Sequence, residues 1–230
     1  MQNLIPFLLL LGGTMAISLI AGARVKSMFR RWSGVAASSG LTGAQAASQI
    51  LRQAGIYDVE VVPHEGILSD HYDPVNKRLA LSEAVYGSRS VAALGVAAHE
   101  AGHALQHAQA YAPLGWRMSA VKVTTFASGA MMFLPIAFSL LGLFKLGMIF
   151  MCVGMGIIML FNLVTLPVEF DASKRAKVLL TRSGIIRSGE EERGVNEVLN
   201  AAGLTYVAAF VSSLAYLFYY LMPLLSGREE

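Results

Sequence analysis

Leu146–Val168 reads LGMIFMCVGMGIIMLFNLVTLPV, twenty-three consecutive residues without a charged side chain. A helix needs about twenty apolar residues to cross the hydrocarbon core of a bilayer. Three further charge-free blocks of similar length occur elsewhere in the chain, at residues 4–23, 123–144 and 205–226. Together the four blocks predict a mostly α-helical membrane protein with four transmembrane helices.

The composition agrees with a membrane protein. Of the 230 residues, 55% are hydrophobic and only 14% are charged, whereas an average soluble domain carries about 25% charged residues. This composition excludes an intrinsically disordered chain, and the single cysteine, Cys152, excludes a disulfide-stapled scaffold. The first apolar block is followed, not preceded, by a basic cluster, so we interpret it as a retained anchor rather than a cleaved signal peptide.

The basic residues concentrate in two polar segments. Nine Lys and Arg lie within residues 24–117 and six within residues 167–204, against three in the rest of the chain. By the positive-inside rule, both segments are expected to face the cytoplasm. Because two membrane helices separate them, the two segments must lie on the same side of the membrane in either orientation.

We therefore divide the chain into five parts. These are transmembrane helix 1 (1–23), a cytoplasmic region (24–117), a transmembrane hairpin of helices 2 and 3 (118–168), a second cytoplasmic segment (169–204), and transmembrane helix 4 with its tail (205–230). The first cytoplasmic region has the pattern of a small α+β unit. Its predicted elements are a capped helix from Thr42 to Gly55, strands at 56–63 and 77–82, and a helix from Ser90 to Gln109. The second segment is predicted to form helices at 168–180 and 190–201.

The last helix of the first region contains His99-Glu100-Ala101-Gly102-His103, an HExxH motif. Two histidines four residues apart project from one helical face and can both reach one metal ion, while Glu100 stands beside them to act on water. Three ionisable side chains on an alanine-rich face are costly to bury without a strong partner. The motif therefore predicts a metal site, with Zn²⁺ as the cofactor.

A catalytic zinc site uses three protein ligands and keeps a fourth position open. His107 continues the same helical face, but eight residues at 1.5 Å per residue place it about 12 Å along the axis from His99. Zinc bonds of about 2.1 Å cannot bridge that separation. We therefore expect His107 to be a surface or pocket-lining residue, with contact to substrate or to a second metal as the alternative.

Glu169 is the preferred candidate for the third ligand. It follows Pro167 at the end of the third membrane helix, on the side of the membrane that also carries the HExxH motif. Asp171 and Asp73 are the competing carboxylates, although Asp171 would point about 200° around the helix from Glu169. Ser173, one turn after Glu169, shares its face and could orient a ligand.

Four motifs in combination resemble the YugP-type membrane zinc metallopeptidases. They are HYDP (His71–Pro74), RLALS, AAHEAGHALQH (Ala97–His107) and PVEFDAS (Pro167–Ser173). The resemblance extends from Met1 to about Tyr206 and includes the layout of the membrane helices. It implies a neutral zinc metallopeptidase of the cytoplasmic membrane, with a zincin-like region on the cytoplasmic side and a peptide or protein substrate.

The resemblance also implies roles for individual residues. His99 and His103 would be zinc ligands, Glu100 the catalytic residue and Glu169 the third ligand, as in the gluzincins. Gluzincins often carry Asp four residues after the third ligand, where this chain has Ser173. The groups that orient the two histidines are therefore not implied by the resemblance.

Metal-assisted peptide hydrolysis is the expected reaction, with Glu100 as the general base. Zinc proteases usually hold the substrate as an added strand, and the predicted strand Lys77–Ser82 is the candidate for the receiving edge. Tyr72, His71 and Arg175 are candidates for stabilising the oxyanion of the reaction.

Two other functions are alternatives to peptide hydrolysis at the membrane surface. An intramembrane protease of the site-2 type would take an Asp ligand from a membrane helix, but none of the four apolar blocks contains Asp. A non-catalytic scaffold or adaptor with a structural zinc site would normally use four ligands, commonly including Cys, and no Cys occurs in the polar segments.

The basic residues after the first helix indicate contact with the anionic lipids of the bilayer, and no nucleic-acid binding is predicted. No feature predicts an oligomeric state.

Overall fold

The computed structural model describes residues 4–225, which form seven helices and three strands. In chain order the elements are α1 (Leu4–Ser33), α2 (Gly43–Gln53), β1 (Glu60–His64), β2 (His71–Asp73), β3 (Arg78–Ser82), α3 (Glu83–Tyr86), α4 (Val91–Ala108), α5 (Ala112–Leu140), α6 (Phe144–Arg182) and α7 (Glu190–Leu225). They divide into two compact units. The apolar unit consists of residues 4–20, 115–166 and 205–225, and the polar unit of residues 21–114 and 167–204.

Four long helices, α1, α5, α6 and α7, are apolar enough to cross a membrane. At most 11% of the most apolar window of each helix is buried inside the protein. Apolar side chains that remain uncovered by protein suit a hydrocarbon environment. The prediction of a mostly helical protein with four candidate membrane-spanning helices is therefore confirmed.

Lys145 separates the charge-free blocks 123–144 and 146–168, but the turn between α5 and α6 lies before it. The chain leaves the helix after Leu140 and re-enters it at Phe144, so that Lys145 already lies in the first turn of α6. Gly142 adopts a φ of 73° in this turn. Glycine tolerates this left-handed conformation without steric cost, which places the turn at Gly142 and not at the lysine.

Two predicted helix boundaries are absent. The predicted helix at 168–180 is the continuation of α6, which runs without a break for 39 residues through Pro167. The predicted helix at 190–201 is likewise the first part of α7, which has 36 residues. Each helix therefore belongs to both units and carries polar residues in direct continuation of an apolar stretch.

The three strands of the polar unit form one sheet in the order β1-β3-β2. Strand β3 runs parallel to β1, with Glu60 opposite Arg78, and antiparallel to β2, with His71 opposite Ala80. The prediction that Lys77–Ser82 forms the edge of the sheet is therefore wrong, because β3 is paired on both sides. The outer strands are β1 and β2, and β2 is a segment of three residues that is too short to show the apolar and polar alternation of a strand.

The core of the polar unit lies where α2, α3 and α4 pack with the sheet. Helix α2 begins with the predicted capping box, in which Thr42 Oγ1 accepts the N–H of Gln45 and the Gln45 side chain accepts the N–H of Thr42. Its apolar face buries Ile50 and Leu51. The RLALS motif contributes Leu79 and Leu81, both completely buried.

The last turns of α1 are fixed to the first turns of α7. Trp32 is buried, and its Nε1 donates a hydrogen bond of 2.9 Å to Glu197 Oε2. A Cβ atom on Gly194 would lie 2.5 Å from the Trp32 ring, so the indole occupies the space that a larger residue would fill. This contact connects the polar end of the first membrane helix with the core of the polar unit.

Helices α4 and α6 lie in close contact at Gly102, within the HExxH motif. A Cβ atom at this position would lie 2.8 Å from the carbonyl oxygen of Ala172, which is backbone and cannot turn aside. By contrast, a Cβ atom on Gly95 of the same helix would lie 3.6 Å from Val195, an ordinary van der Waals distance. The two glycines therefore tolerate substitution differently.

We predict that Gly102→Ala destabilises the protein by about 1–3 kcal/mol, because overpacking forces α4 and α6 apart. Gly95→Ala is the matched control, and it should leave stability unchanged or raise it by up to about 1 kcal/mol, since alanine favours helix over glycine. Thermal unfolding of the purified variants in detergent measures both effects. Equal melting temperatures for Gly102→Ala and the unsubstituted protein would contradict the assigned contact.

Candidate metal centre

Helix α4 presents the HExxH motif from a well-defined start. Ser90 caps the helix, with its Oγ accepting the N–H of Ala93 at 3.2 Å. An N-cap of this kind satisfies a backbone donor that the helix itself leaves without a partner. The alanines that follow are buried, so the helix is held along most of its length and the motif is presented on a rigid element.

Helix α6 brings a carboxylate, that of Glu169, to the two histidines of the HExxH motif. Glu169 lies one residue beyond the charge-free block 146–168, and it is only 2% exposed. Its Oε2 atom lies 3.2 Å from His99 Nε2 and 3.6 Å from His103 Nε2. The two imidazole rings meet edge to face, with 4.8 Å between their centroids. Two ring nitrogens therefore converge on one carboxylate oxygen.

His99, His103 and Glu169 each offer one ligand atom, and these atoms lie within 4.8 Å of one another. Within residues 4–225, this is the group of three His, Cys, Asp or Glu side chains that could hold a metal ion. Atoms bound tetrahedrally at about 2.1 Å would be about 3.4 Å apart, close to the two distances from Glu169. Two imidazoles and a carboxylate are also donors that zinc accepts. The group therefore fits Zn²⁺.

The environment of the group favours a negatively charged Glu169. Burial would raise the pKa of its carboxyl group, but hydrogen bonds with His103 and His99 outweigh burial and hold the pKa well below its ordinary value. For His103, burial would lower the pKa, whereas the hydrogen bond with Glu169 and the nearby charge of Glu100 raise it. The site thus contains a buried, negatively charged carboxylate, which suits the binding of a metal cation.

Glu100 lies on the same helix and is buried, with 8% of its surface exposed. It is not one of the three converging ligand residues. Its charge nevertheless acts on His103 through space, which places the carboxylate close to the group. A buried carboxylate beside a metal-binding group is available to accept a proton instead of a metal bond.

The second nitrogen of each histidine also has a partner. His99 Nδ1 lies 3.1 Å from Ser173 Oγ, and His103 Nδ1 lies 3.0 Å from Gln106 Oε1. Ser173 was a sequence-based candidate for this position. Gln106 was not, although its spacing of three from His103 on one helix places both side chains on the same face and could have indicated it.

Asp171 and Asp73, the competing carboxylates, lie outside the three-residue group. Asp171 accepts hydrogen bonds from Gln106 Nε2 at 2.9 Å and Arg175 Nε at 2.5 Å. Asp73 accepts the backbone N–H groups of Val75 and Asn76 and so stabilises the turn after β2. Both carboxylates are therefore engaged in structural hydrogen bonds.

The remaining candidates lie at three separate places. Tyr72 Oη is 2.9 Å from His107 Nδ1, and burial, as the main cause, raises the pKa of this phenol to about 12, so it stays neutral at physiological pH. His71 is exposed, with Nδ1 2.8 Å from the carbonyl oxygen of Ser69. The Arg175 guanidinium lies 5.8 Å from the centre of the Tyr111 ring.

Comparison with known proteins gives the same assignment as the site. Residues 7–225 match the model of a family described as "putative neutral zinc metallopeptidase". The chain is 47% identical to the "putative membrane protease YugP" of Bacillus subtilis over 229 residues, which cover 97% of this chain and 99% of the relative. No solved structure matches the chain. With a family match over nearly its whole length, this chain belongs to the neutral zinc metallopeptidase family that includes membrane proteins of the YugP type.

Proposed function

We propose that this protein is a membrane-bound zinc endopeptidase that cleaves peptide bonds at the cytoplasmic surface of the membrane. The observation that carries the proposal is the convergence of His99 Nε2 and His103 Nε2 on the Glu169 carboxylate. The family membership supports the same reaction. In this proposal, His99, His103 and Glu169 hold Zn²⁺, and Glu100 is the catalytic residue.

Zinc, when bound, supplies a Lewis acid that polarises the scissile carbonyl and makes a water molecule acidic near neutral pH. Glu100 accepts the proton of the attacking water and later delivers it to the leaving amine. Glu100 is buried and directly follows His99 on α4, which supports this role. Tyr72, a neutral phenol beside His107, can donate a hydrogen bond to a developing oxyanion.

The outer edge of β2 is the proposed binding site for the substrate backbone. Among the described residues, β2 is paired only with β3, so its other edge keeps N–H and C=O groups that can pair with an added strand. Tyr72 of β2 contacts His107 of α4, which places this edge beside the helix of the HExxH motif. Recognition through the main chain would make cleavage only weakly dependent on sequence.

The site-2 and scaffold alternatives receive less support. The group contains Glu169, which lies beyond the charge-free block, and no Asp from a membrane helix. It also has three ligand residues and a further buried carboxylate, Glu100, as expected for a catalytic centre and not for a closed structural one.

We predict that the purified protein binds one zinc ion per chain and that His103→Ala and Glu169→Ala each weaken binding by more than about 100-fold, since loss of a partner outside the ligand set already costs about 10–100-fold. His64→Ala is the matched control, because His64 is exposed and lies outside the group. Metal analysis and competition with a chromogenic chelator measure the affinities. Full retention of zinc affinity in Glu169→Ala would remove Glu169 from the ligand set.

We further predict that Glu100→Gln keeps the zinc affinity but lowers kcat by about 100- to 10,000-fold, because the amide cannot accept the proton of the attacking water. Hydrolysis of fluorescently labelled casein, with and without a chelator, measures the effect. Undiminished turnover by Glu100→Gln would rule out this residue as the general base.

The proposed orientation places residues 24–117 and 169–204 in the cytoplasm, following their excess of Lys and Arg. A reporter active only in the cytoplasm should therefore give a signal when inserted after Gly40, and a reporter inserted between Leu141 and Leu143 should give none. The reverse pattern would overturn the orientation. It would leave the metal site unaffected, because the two membrane helices between the polar segments keep both segments on one side of the membrane.

A further inference from the structure

Gln106 is completely buried beside the metal-binding group, with 0% of its surface exposed. An amide in such a place must satisfy both its donors and its acceptor, because an unpaired buried polar group is costly. Gln106 Nε2 donates to the carbonyl oxygen of Val168 at 2.8 Å and to Asp171 Oδ2 at 2.9 Å, and Gln106 Oε1 lies 3.0 Å from His103 Nδ1. Both hydrogens of the Gln106 NH₂ group and its carbonyl oxygen therefore have a partner among these neighbours.

The chemistry of the two acceptors fixes the orientation of this amide. A backbone carbonyl and an ionised carboxylate can only accept hydrogen bonds, so the group that faces Val168 and Asp171 must be the NH₂ end of Gln106. The opposite end, which faces His103, is then the carbonyl oxygen. A flipped amide would oppose an oxygen to two oxygens and lose both hydrogen bonds.

Asp171 is itself held as an acceptor. Arg175 donates from Nε to Asp171 Oδ2, the same oxygen that accepts from Gln106, and a second nitrogen of Arg175 donates to Gln109 Oε1 at 2.5 Å. An arginine has only donors and keeps its proton in proteins, so the Asp171 oxygen that it contacts is the acceptor in this hydrogen bond. The orientation of Gln106 therefore depends on a fixed charge pair at its far side.

We propose that Gln106, oriented by Asp171 and Val168, is a positioning residue that sets the tautomer of His103, with the proton on Nδ1 and the lone pair of Nε2 directed at the metal. A carbonyl oxygen can only accept, so Nδ1 must be the donor in this contact, which leaves Nε2 as the nitrogen that would bind the metal. This inference rests on the proposed function, in which His103 is a zinc ligand. It assigns a role to Gln106, which lies outside both the HExxH motif and the three residues proposed to bind zinc.

The two histidines differ in this respect. His99 Nδ1 faces the hydroxyl of Ser173, which can either donate or accept and so does not select a tautomer by itself. His103 faces a group that can only accept. The Gln106 contact therefore selects the tautomer of His103, whereas the Ser173 contact does not select that of His99.

The first test compares Gln106→Met, which keeps the length of the side chain and removes its hydrogen bonds, with Gln109→Met as the matched control. Gln109 is exposed directly after the end of α4 and contacts Arg175. Zinc affinity, measured by chelator competition, should fall about 10- to 100-fold in Gln106→Met and stay unchanged in Gln109→Met. The visible absorption bands of the Co²⁺-substituted protein should shift only in Gln106→Met, which a general loss of stability would not produce in a folded sample.

The second test uses the unsubstituted protein and does not depend on whether Gln106→Met folds. Gly102-His103 is the one Gly-His pair in the sequence, so labelling glycine carbonyl carbons with ¹³C and histidine with ¹⁵N and ¹³C identifies His103 uniquely. Its ring chemical shifts in the zinc-loaded state should report a proton on Nδ1 and none on Nε2.

The outcomes separate this inference from the proposed function. Zinc binding by the unsubstituted protein, with equal affinity in Gln106→Met or with the His103 proton on Nε2, overturns the role of Gln106 and leaves the metallopeptidase intact. Failure of the unsubstituted protein to bind zinc overturns the metallopeptidase and this inference together.

Discussion

The close approach of α4 and α6 at Gly102 is the constraint on which the site depends. Since Gly102 has no side chain, the backbone of α6 at Ala172 can lie directly against the HExxH helix. That distance brings Glu169 to the two histidines and Ser173 to His99. A single methyl group at this point would separate side chains that must meet within about 3 Å to share a hydrogen bond or a metal ion. The motif residue that carries no functional group therefore sets the geometry for those that do.

Burial gives this geometry its chemical value. His103, Glu100 and Glu169 are all less than a tenth exposed, in a protein with few charged residues. Removing a charge from water is costly, and each of these groups is compensated by another of them or by the amide and hydroxyl groups around the site. The buried polar residues of α4 and α6 therefore form one connected network.

Much of this could be predicted from the sequence, because the signals are local. A charge-free run of more than twenty residues predicts a membrane helix by its length alone, and two histidines at a spacing of four define one helical face. Glu169 could be proposed as the third ligand because an even number of membrane helices separates it from the motif, which puts both on the same side of the membrane. The motif and the carboxylate lie 70 positions apart in the chain, yet each is marked by its own short pattern.

Other features depend on contacts that the sequence does not record. The three residues of β2 carry no alternation, so the position of β3 at the centre of the sheet followed only from the pairing. Gln106 resembles many helical glutamines until Val168 and Asp171 are seen to surround it. Charge and spacing predict the candidate ligands and Ser173, whereas the contact of Gln106 with His103 follows from the residues packed around Gln106.

The unbroken course of α6 gives the number of residues in this helix a geometrical meaning. Each residue advances an α-helix by 1.5 Å and turns it by about 100°. One residue inserted between Glu169 and Ser173 would turn Ser173 away from the face that it shares with Glu169, so that the two side chains could no longer both reach His99. The irregular connection between β1 and β2, by contrast, lies outside any helix and can change length without rotating these residues. Homologues should therefore vary in length at that connection and conserve the residue count between Glu169 and Ser173, so that gaps in an alignment mark the parts of the chain that do not set the register of the site.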